Sequence, residues 1–338
     1  MSVMAASMLA LERKLLRIDA RAQQDALQRI DADETLRGGL EAVIRRFLEG
    51  YHLASNTTDC AQLIQCIDEA VPREVHGFAY EGAAMYLAIA DELARWRQPR
   101  LPKLMSAARP HDYIMCIGAG FSLARVPWLR AAPNAYAARF GPAYAGLVLD
   151  GFGFHEGFFA TDRAVTAQQR PIALDGVAAR CFDTGVGRAL WFVRGASPDD
   201  IAETIAAFPP IRQRDLWAGV GLACAYAGST YADLHRYASA LRALAGSAGP
   251  HRCQLGLGVV FAAETRRKAG NLSRWTSHAC EVLLDMPAEE AASLGLRHWN
   301  TAILQQRDLL TADAFLQAHR IASDRVAAQL TRAAKATC

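Results

Sequence analysis

The sequence is short of the signatures by which common catalytic machinery is recognised. It holds no G-x-x-x-x-G-K-[ST] phosphate loop, no G-x-S-x-G nucleophile turn and no H-E-x-x-H zinc motif. Charge of one sign is not in excess either: 37 basic and 34 acidic residues give a formal charge of +3, spread along the chain without a basic stripe. Phosphate-backbone binding needs such a stripe, so nucleic acid is not an expected partner. No apolar run approaches the ~18 residues that span a bilayer, the longest lying around Trp217 to Gly228 and Leu255 to Ala263. These read as buried helices. The short apolar run Met4 to Leu11 precedes its charges Glu12, Arg13 and Lys14, the reverse of a secretory signal, which predicts cytoplasmic residence. The eight cysteines form no C-x-x-C pair and most sit in apolar runs, which suits buried thiols better than a disulfide framework or a zinc site. With 52% hydrophobic and 21% charged residues, the chain has the composition of an ordinary folded protein.

What is present is repetition. Pro110-His111, Cys116 and Gly118-Ala119-Gly120 return as Pro250-His251, Cys253 and Gly256-Leu257-Gly258, the prolines 140 residues apart. Thr58 to Ile64, leading to Pro72, matches Pro198 to Thr204, leading to Pro209-Pro210, and Pro72 and Pro210 are 138 apart. A half-period shows as well. Gly151-Phe152-Gly153 lies 74 residues after Gly77 and 68 before Gly219, and Gly185-Val186-Gly187 lies 67 after Gly118 and 71 before Gly256. The unit is thus ~70 residues, about two helices with their connections. Ser197-Pro198-Asp199-Asp200 is a strong helix start, with a counterpart at Thr57 or Thr58, and each helix then runs to a proline.

Ala, Leu and Met dominate these segments and period-2 alternation is absent, which predicts helices. Each interior glycine costs a helix about 1 kcal/mol relative to alanine, so several per helix imply close backbone approach to a neighbour or a ligand. The expected fold is all-α: repeated helix pairs forming an α/α toroid or solenoid from an internal duplication of about 140 residues. A βαβ sheet is the runner-up, because the G-x-G sites follow short apolar stretches such as Tyr113 to Ile117. The expected organisation is a helical arm over residues 1–40, with an amphipathic helix at 7–30, a repeat domain over 41–300, and C-terminal helices over 301–338 packing on it.

The G-x-G sites do not continue as G-x-G-x-x-G, so they make no dinucleotide fingerprint. The most unusual polar group is His155-Glu156, set among Phe152, Phe154, Phe158 and Phe159, with Asp150 just before. Ionisable groups in apolar surroundings have shifted pKa values, which is how general acids and bases arise. Glu81 beside Tyr80 and Asp183 before Gly185 complete the candidate catalytic set of Glu81, Asp150, His155, Glu156 and Asp183. The competing explanation ties these acids to Arg125, Arg180 or Arg188 at helix ends. Recurrent aromatics, namely Phe78, Tyr80, Phe121, Phe152, Phe154, Trp191 and Trp217, are the candidate substrate-binding surface, with Phe192 and Phe261 at related places. Only Glu49-Gly50-Tyr51-His52 fits a Glu-x-x-His metal pair, so no metal is expected and no cofactor is required. His111 and His251 each follow a proline, which suits a repeated role at a helix start.

At these residues the chain resembles a known family. Glu81 to Met85, Leu149 to Gly157, Gly185 to Phe192 and Asp215 to Ala223 are similar to the bacterial family called domain of unknown function 1702, over about residues 40–300. That resemblance implies an association with enediyne biosynthesis, hence bacterial secondary metabolism, and it implies no reaction and no catalytic residues. The leading expectation is an enzyme that cyclises or isomerises a hydrophobic polyene or isoprenoid-like substrate by acid–base chemistry in an aromatic helical cavity. Against a terpene-cyclase version stands the absence of D-D-x-x-D and D-x-D-D; Asp199-Asp200 is better explained as a helix start. Two other classes compete: a non-catalytic carrier of a reactive hydrophobic metabolite, and a repeat scaffold for a protein partner. A homo-oligomer is compatible with all three.

Overall fold

Four outer helices of this chain start on a side-chain cap, whereas six of the inner helices start without one. A computed structural model describes residues 27–141, 144–304 and 324–331, together with Leu16, Ile18, Gln24 and Asp25. The described residues are helical and contain no strand. In chain order the first eight helices are α1 Glu34–Asn56, α2 Cys60–Ala70, α3 His76–Leu93, α4 Leu101–Ala107, α5 Asp112–Gly120, α6 Ser122–Arg125, α7 Pro127–Ala131 and α8 Pro133–Ala138. They are followed by α9 Ala145–Phe159, α10 Gly176–Val193, α11 Pro198–Ala206, α12 Pro210–Tyr226, α13 Leu234–Ala248, α14 Arg252–Lys268, α15 Arg274–Leu284 and α16 Ala288–Leu304. The amphipathic helix expected at 7–30 and most of the C-terminal segment 301–338 lie outside the described residues.

Helices α2, α11, α13 and α15 begin with side-chain caps, from Asp59, Ser197, Asp233 and Ser273 to backbone N–H groups three residues on. Each buries one stripe and exposes the rest, as an outer layer requires. The cap expected at Thr57 or Thr58 is made by Asp59, because its carboxylate reaches the Gln62 N–H at 2.9 Å. Helices α3, α5, α9, α10, α12 and α14 have no side-chain cap and are buried nearly all round. With α1 before them and α16 after, they form an inner layer in which each helix packs on the next: α1, α3, α5, α9, α10, α12, α14, α16. The apolar stretch from Tyr113 to Ile117 is part of α5, so the sheet alternative is excluded there: its residues are hydrogen-bonded within one helix, and Ile114 to Ile117 are buried.

Glycine sets how close those inner helices come. A Cβ built on Gly185 would lie 1.8 Å from the Asp150 carbonyl oxygen of α9, and one built on Gly153 would lie 1.9 Å from the Phe182 carbonyl of α10. The two contacts are reciprocal and form a clasp. The same clasp joins α1 to α3 through Gly50 and Gly82, α5 to α9 through Gly120 and Gly151, α10 to α12 through Gly187 and Gly219, and α12 to α14 through Gly221 and Gly258. Between α3 and α5, Gly118 faces the Glu81 carbonyl and Ala84 stands in for its glycine partner; between α14 and α16, Gly295 meets Val260. The spacing G-x-G now has a physical reason. Two residues advance about 200° around a helix, so the first glycine faces the preceding inner helix and the second faces the following one. In each clasp the glycine Cα–H occupies the Cβ direction and aims at a carbonyl oxygen, a contact worth about 0.5–1 kcal/mol.

This geometry corrects the alignment expected from sequence. Gly118 corresponds to Gly258 and not to Gly256, because Gly118 and Gly258 both face the preceding helix while Gly256 abuts Leu284 and Leu330. The recurring element is therefore one inner helix with its connection, about half the expected ~70-residue unit. Late helices also return to early ones. The guanidinium of Arg266, at the end of α14, donates to the carbonyls of Glu74, Tyr226 and Asn271 and lies 4.4 Å over the Tyr226 ring. Asn271 donates to the Arg73 carbonyl, and Lys268 pairs with Asp112 at the start of α5.

Candidate functional site

Six of the inner helices, α5, α9, α10, α12, α14 and α16, line a chamber with a cavity volume of about 80 Å³, open at a mouth to solvent. Register against the first glycine of each helix identifies the lining. The residues five, four and one places before it face the chamber: Tyr113, Ile114 and Ile117 on α5, Gly146, Leu147 and Asp150 on α9, Arg180, Cys181 and Thr184 on α10, and Arg214, Asp215 and Ala218 on α12. Helix α14 adds Gln254 and Leu257 at the same levels and continues with Phe261 and Thr265, while α12 continues with Leu222 and Tyr226. These spacings put the lining on one stripe of each helix. A clasped helix keeps that stripe turned inward.

Of the five catalytic candidates only Asp150 lines the chamber, and of the recurrent aromatics only Phe261 does. Its carboxylate accepts from Arg188 at 2.5 Å, and the second terminal nitrogen of Arg188 lies 3.5 Å from the Glu81 carboxylate. All three side chains are about 6% exposed. Glu81 stands one place before Gly82, so it is the α3 counterpart of Asp150. The same place is Ile117, Thr184, Ala218 and Leu257 on the other helices, which makes this acid pair local to one side of the chamber. Burial pushes the Glu81 carboxyl up to about 7 against the pull of Arg188, and it raises Asp150 as well. One guanidinium thus serves two carboxylates, both of which burial shifts toward the protonated form. Arg188 also covers the Phe154 ring, its centre 5.0 Å away.

At the helix N-termini the chamber has a charged rim. Arg180 donates to both oxygens of Asp215 at 3.1 Å, Arg214 lies 3.6 Å from Asp215, and Arg214 donates to Asp324 at 3.0 Å. Burial raises the Asp215 carboxyl, with Arg180 opposing it. Sequence reasoning passed over this rim although Asp215 and Arg180 were in view. The signal that finds it is an arginine about one inner helix away from each buried acid: the Asp215–Arg180 and Asp150–Arg188 pairs span 35 and 38 residues.

The remaining candidates lie elsewhere. Glu156 accepts from Arg130 at 3.0 Å on both oxygens and from Arg163; burial opposes its ionisation, and the two arginines outweigh that and hold the carboxyl below its usual range. Asp183 is held by Arg212 and Arg170, and burial raises its carboxyl against them. His155 packs between Phe121 and Phe159, neither ring nitrogen has a hydrogen-bond partner, and burial lowers its pKa to about 3, so the imidazole is neutral. The five residues are therefore not gathered into one cavity. All four acids are in arginine pairs, and Arg125 supplies none of those pairs.

The seven expected substrate-binding aromatics are packing residues outside the chamber lining. Phe78 meets Tyr226 edge-on, Tyr80 stacks on His111 at 4.2 Å, Phe121 stacks on Phe154, and Phe152 packs on Phe182. Trp191 and Trp217 are buried. The rings that do face the chamber are Tyr113, Tyr226 and Phe261. Glu49 bonds Arg46, and among the described residues no group of three or more His, Cys, Asp or Glu is arranged to hold a metal ion. The seven described cysteines are free thiols, of which Cys116, Cys181, Cys224 and Cys280 are buried. No described helix is long and apolar enough to cross a membrane.

In comparisons with known proteins, no curated protein and no solved structure matches the chain. A family profile does, and it spans residues 7–319. The chain accordingly belongs to the family described as protein of unknown function (DUF1702).

Proposed function

We propose that this protein binds an elongated, largely apolar small molecule in the chamber, and that its inner helices are the closed or nearly closed inner ring of an α/α toroid built by duplication. The observation that carries this reading is the inward stripe: Ile114, Ile117, Leu147, Ala218, Leu222, Leu257 and Phe261 present an apolar wall, with Asp150 and Thr184 the polar groups at mid-height and the others at the two ends. The reading takes the ligand to belong to bacterial secondary metabolism, the setting that the family resemblance implies. Ala218→Trp directs an indole into the middle of that wall. The expected result is loss of diphenylhexatriene binding, read by fluorescence, with a melting temperature within a few degrees of the parent. Unchanged binding in a folded variant sinks the reading.

One observation favours a catalytic version. Asp150 faces the chamber, and burial raises both its carboxyl and that of Glu81, with which it shares Arg188, so Asp150 is placed to exchange a proton with a polyene or isoprenoid-like ligand lying against it. Because Glu81 is raised to about 7, the competent protonated form is lost as pH rises through that value. Molecules extracted from the purified protein supply the substrate, and Asp150→Asn is expected to retain binding while losing turnover. Equal turnover in the variant leaves the carrier reading alone.

A further inference from the structure

The chamber rim holds two unused hydrogen-bonding atoms. Among the described chamber-lining side chains, the buried nitrogen and oxygen atoms without a hydrogen bond are Arg214 Nε, which faces Asp215 Oδ1 at 3.6 Å, beyond hydrogen-bond length, and Gln254 Oε1. Arg214 stands five places before Gly219 on α12, and Gln254 four places before Gly258 on α14; these two helices are clasped together, and both side chains line the chamber near its rim. His251, one turn before Gln254, feels the charges of both Arg214 and Asp215. Arg214 Nε can only donate, and Gln254 Oε1 can only accept. A buried polar atom left unpaired costs more than a hydrogen bond returns, so this pair rewards a ligand that satisfies both.

We infer that the chamber's ligand carries, at its rim end, an uncharged hydroxyl that accepts from Arg214 Nε–H and donates to Gln254 Oε1. This inference rests on the reading of the chamber as a binding site for an apolar molecule. Charge matching excludes an ionised end group. Arg180 and Arg214 are already balanced by Asp215 and Asp324, so a ligand carboxylate would bring an unmatched negative charge beside Asp215. A ligand ammonium would meet the two guanidiniums. An ether end group offers no donor and leaves Gln254 Oε1 unpaired.

Four straight-chain probes of one length test this: dodecanol, its methyl ether, dodecanoate and dodecane, each read by displacement of diphenylhexatriene from the full chain. Dodecanol is expected to bind about tenfold more tightly than the methyl ether in the parent protein. In Gln254→Leu that ratio falls to about twofold or less while the ether's affinity is kept. Equal affinity of alcohol and ether in the parent protein, or tightest binding of dodecanoate, overturns the hydroxyl assignment and leaves the chamber reading standing. Should none of the probes displace the fluorophore, and should Ala218→Trp bind it as the parent does, the chamber reading itself falls. The parent's own ranking decides the matter even if Gln254→Leu does not fold.

Discussion

Gly219→Ala is expected to destabilise the protein by about 3 kcal/mol or more, whereas Gly38→Ala is expected to stabilise it by about 0.5–1 kcal/mol. The two substitutions add the same methyl group to a helix interior, and in an isolated helix both help. At Gly38 the added Cβ meets nothing within 4 Å, so the helix-propensity gain stands alone. At Gly219 it lands 2.0 Å from the Thr184 carbonyl oxygen and 2.6 Å from the Arg188 backbone nitrogen. Backbone atoms cannot rotate aside. Helices α10 and α12 must separate, which also opens the Gly187 contact on the same crossing and shifts Arg188, the cation of the buried acid cluster. Thermal or urea unfolding of the two variants reads the result. A similar sign for both would mean that the inner helices do not cross at clasp distance.

Arg188→Met is expected to cost about 3–5 kcal/mol at neutral pH, because it leaves Glu81 and Asp150 buried without their cation. The pH dependence has a definite sign. An acid whose folded pKa is raised contributes stability that is fully present below its unfolded pKa and is lost as pH rises through the folded value. For Glu81 in the parent chain that window runs from 4.5 to about 7. Without Arg188 burial acts unopposed on both carboxyls, and the window extends further upward. The gap between variant and parent should therefore narrow as pH is lowered from about 8 to about 5. Adding Glu81→Gln and Asp150→Asn should restore most of the lost stability at neutral pH. A penalty that does not change with pH would show that Arg188 acts through its packing on Phe154 and not through charge.

Much of the fold is legible in the residues, and the reasons are local. Proline breaks, the Ser197 cap and the Ala- and Leu-rich composition act within a few residues of themselves, so they specify helices wherever they occur. The glycines of Gly151-Phe152-Gly153 and its relatives also declare close approach. Register is less accessible. Gly256 and Gly258 look equivalent as letters, and only the side of the helix on which each lies distinguishes the clasping glycine from its neighbour. The site suffers more from this. His155-Glu156 stands out because it is polar among phenylalanines, but Arg130 and Arg163 absorb Glu156, and His155, packed against Phe121 and Phe159, makes no hydrogen bond. What faces the chamber is instead a stripe of ordinary residues, Ile117, Thr184, Ala218 and Leu257, that no local pattern marks. Glu81 and Asp150 fall on that stripe's register, and their shared arginine lies 107 and 38 residues away along the chain.

The ties made by Arg266 and Asn271 give the protein an order of assembly. Neighbouring inner helices are close in sequence and can dock as soon as each is made, with little loop entropy to overcome. Arg266 and Asn271, by contrast, reach carbonyls at Glu74 and Arg73, separations of 192 and 198 residues. A chain emerging from the ribosome can therefore build most of the helical arc early, while the wall completed by α14 must wait until synthesis has passed Asn271. Until then the apolar stripes stand open, so the last stage of synthesis is when this protein is most exposed to aggregation.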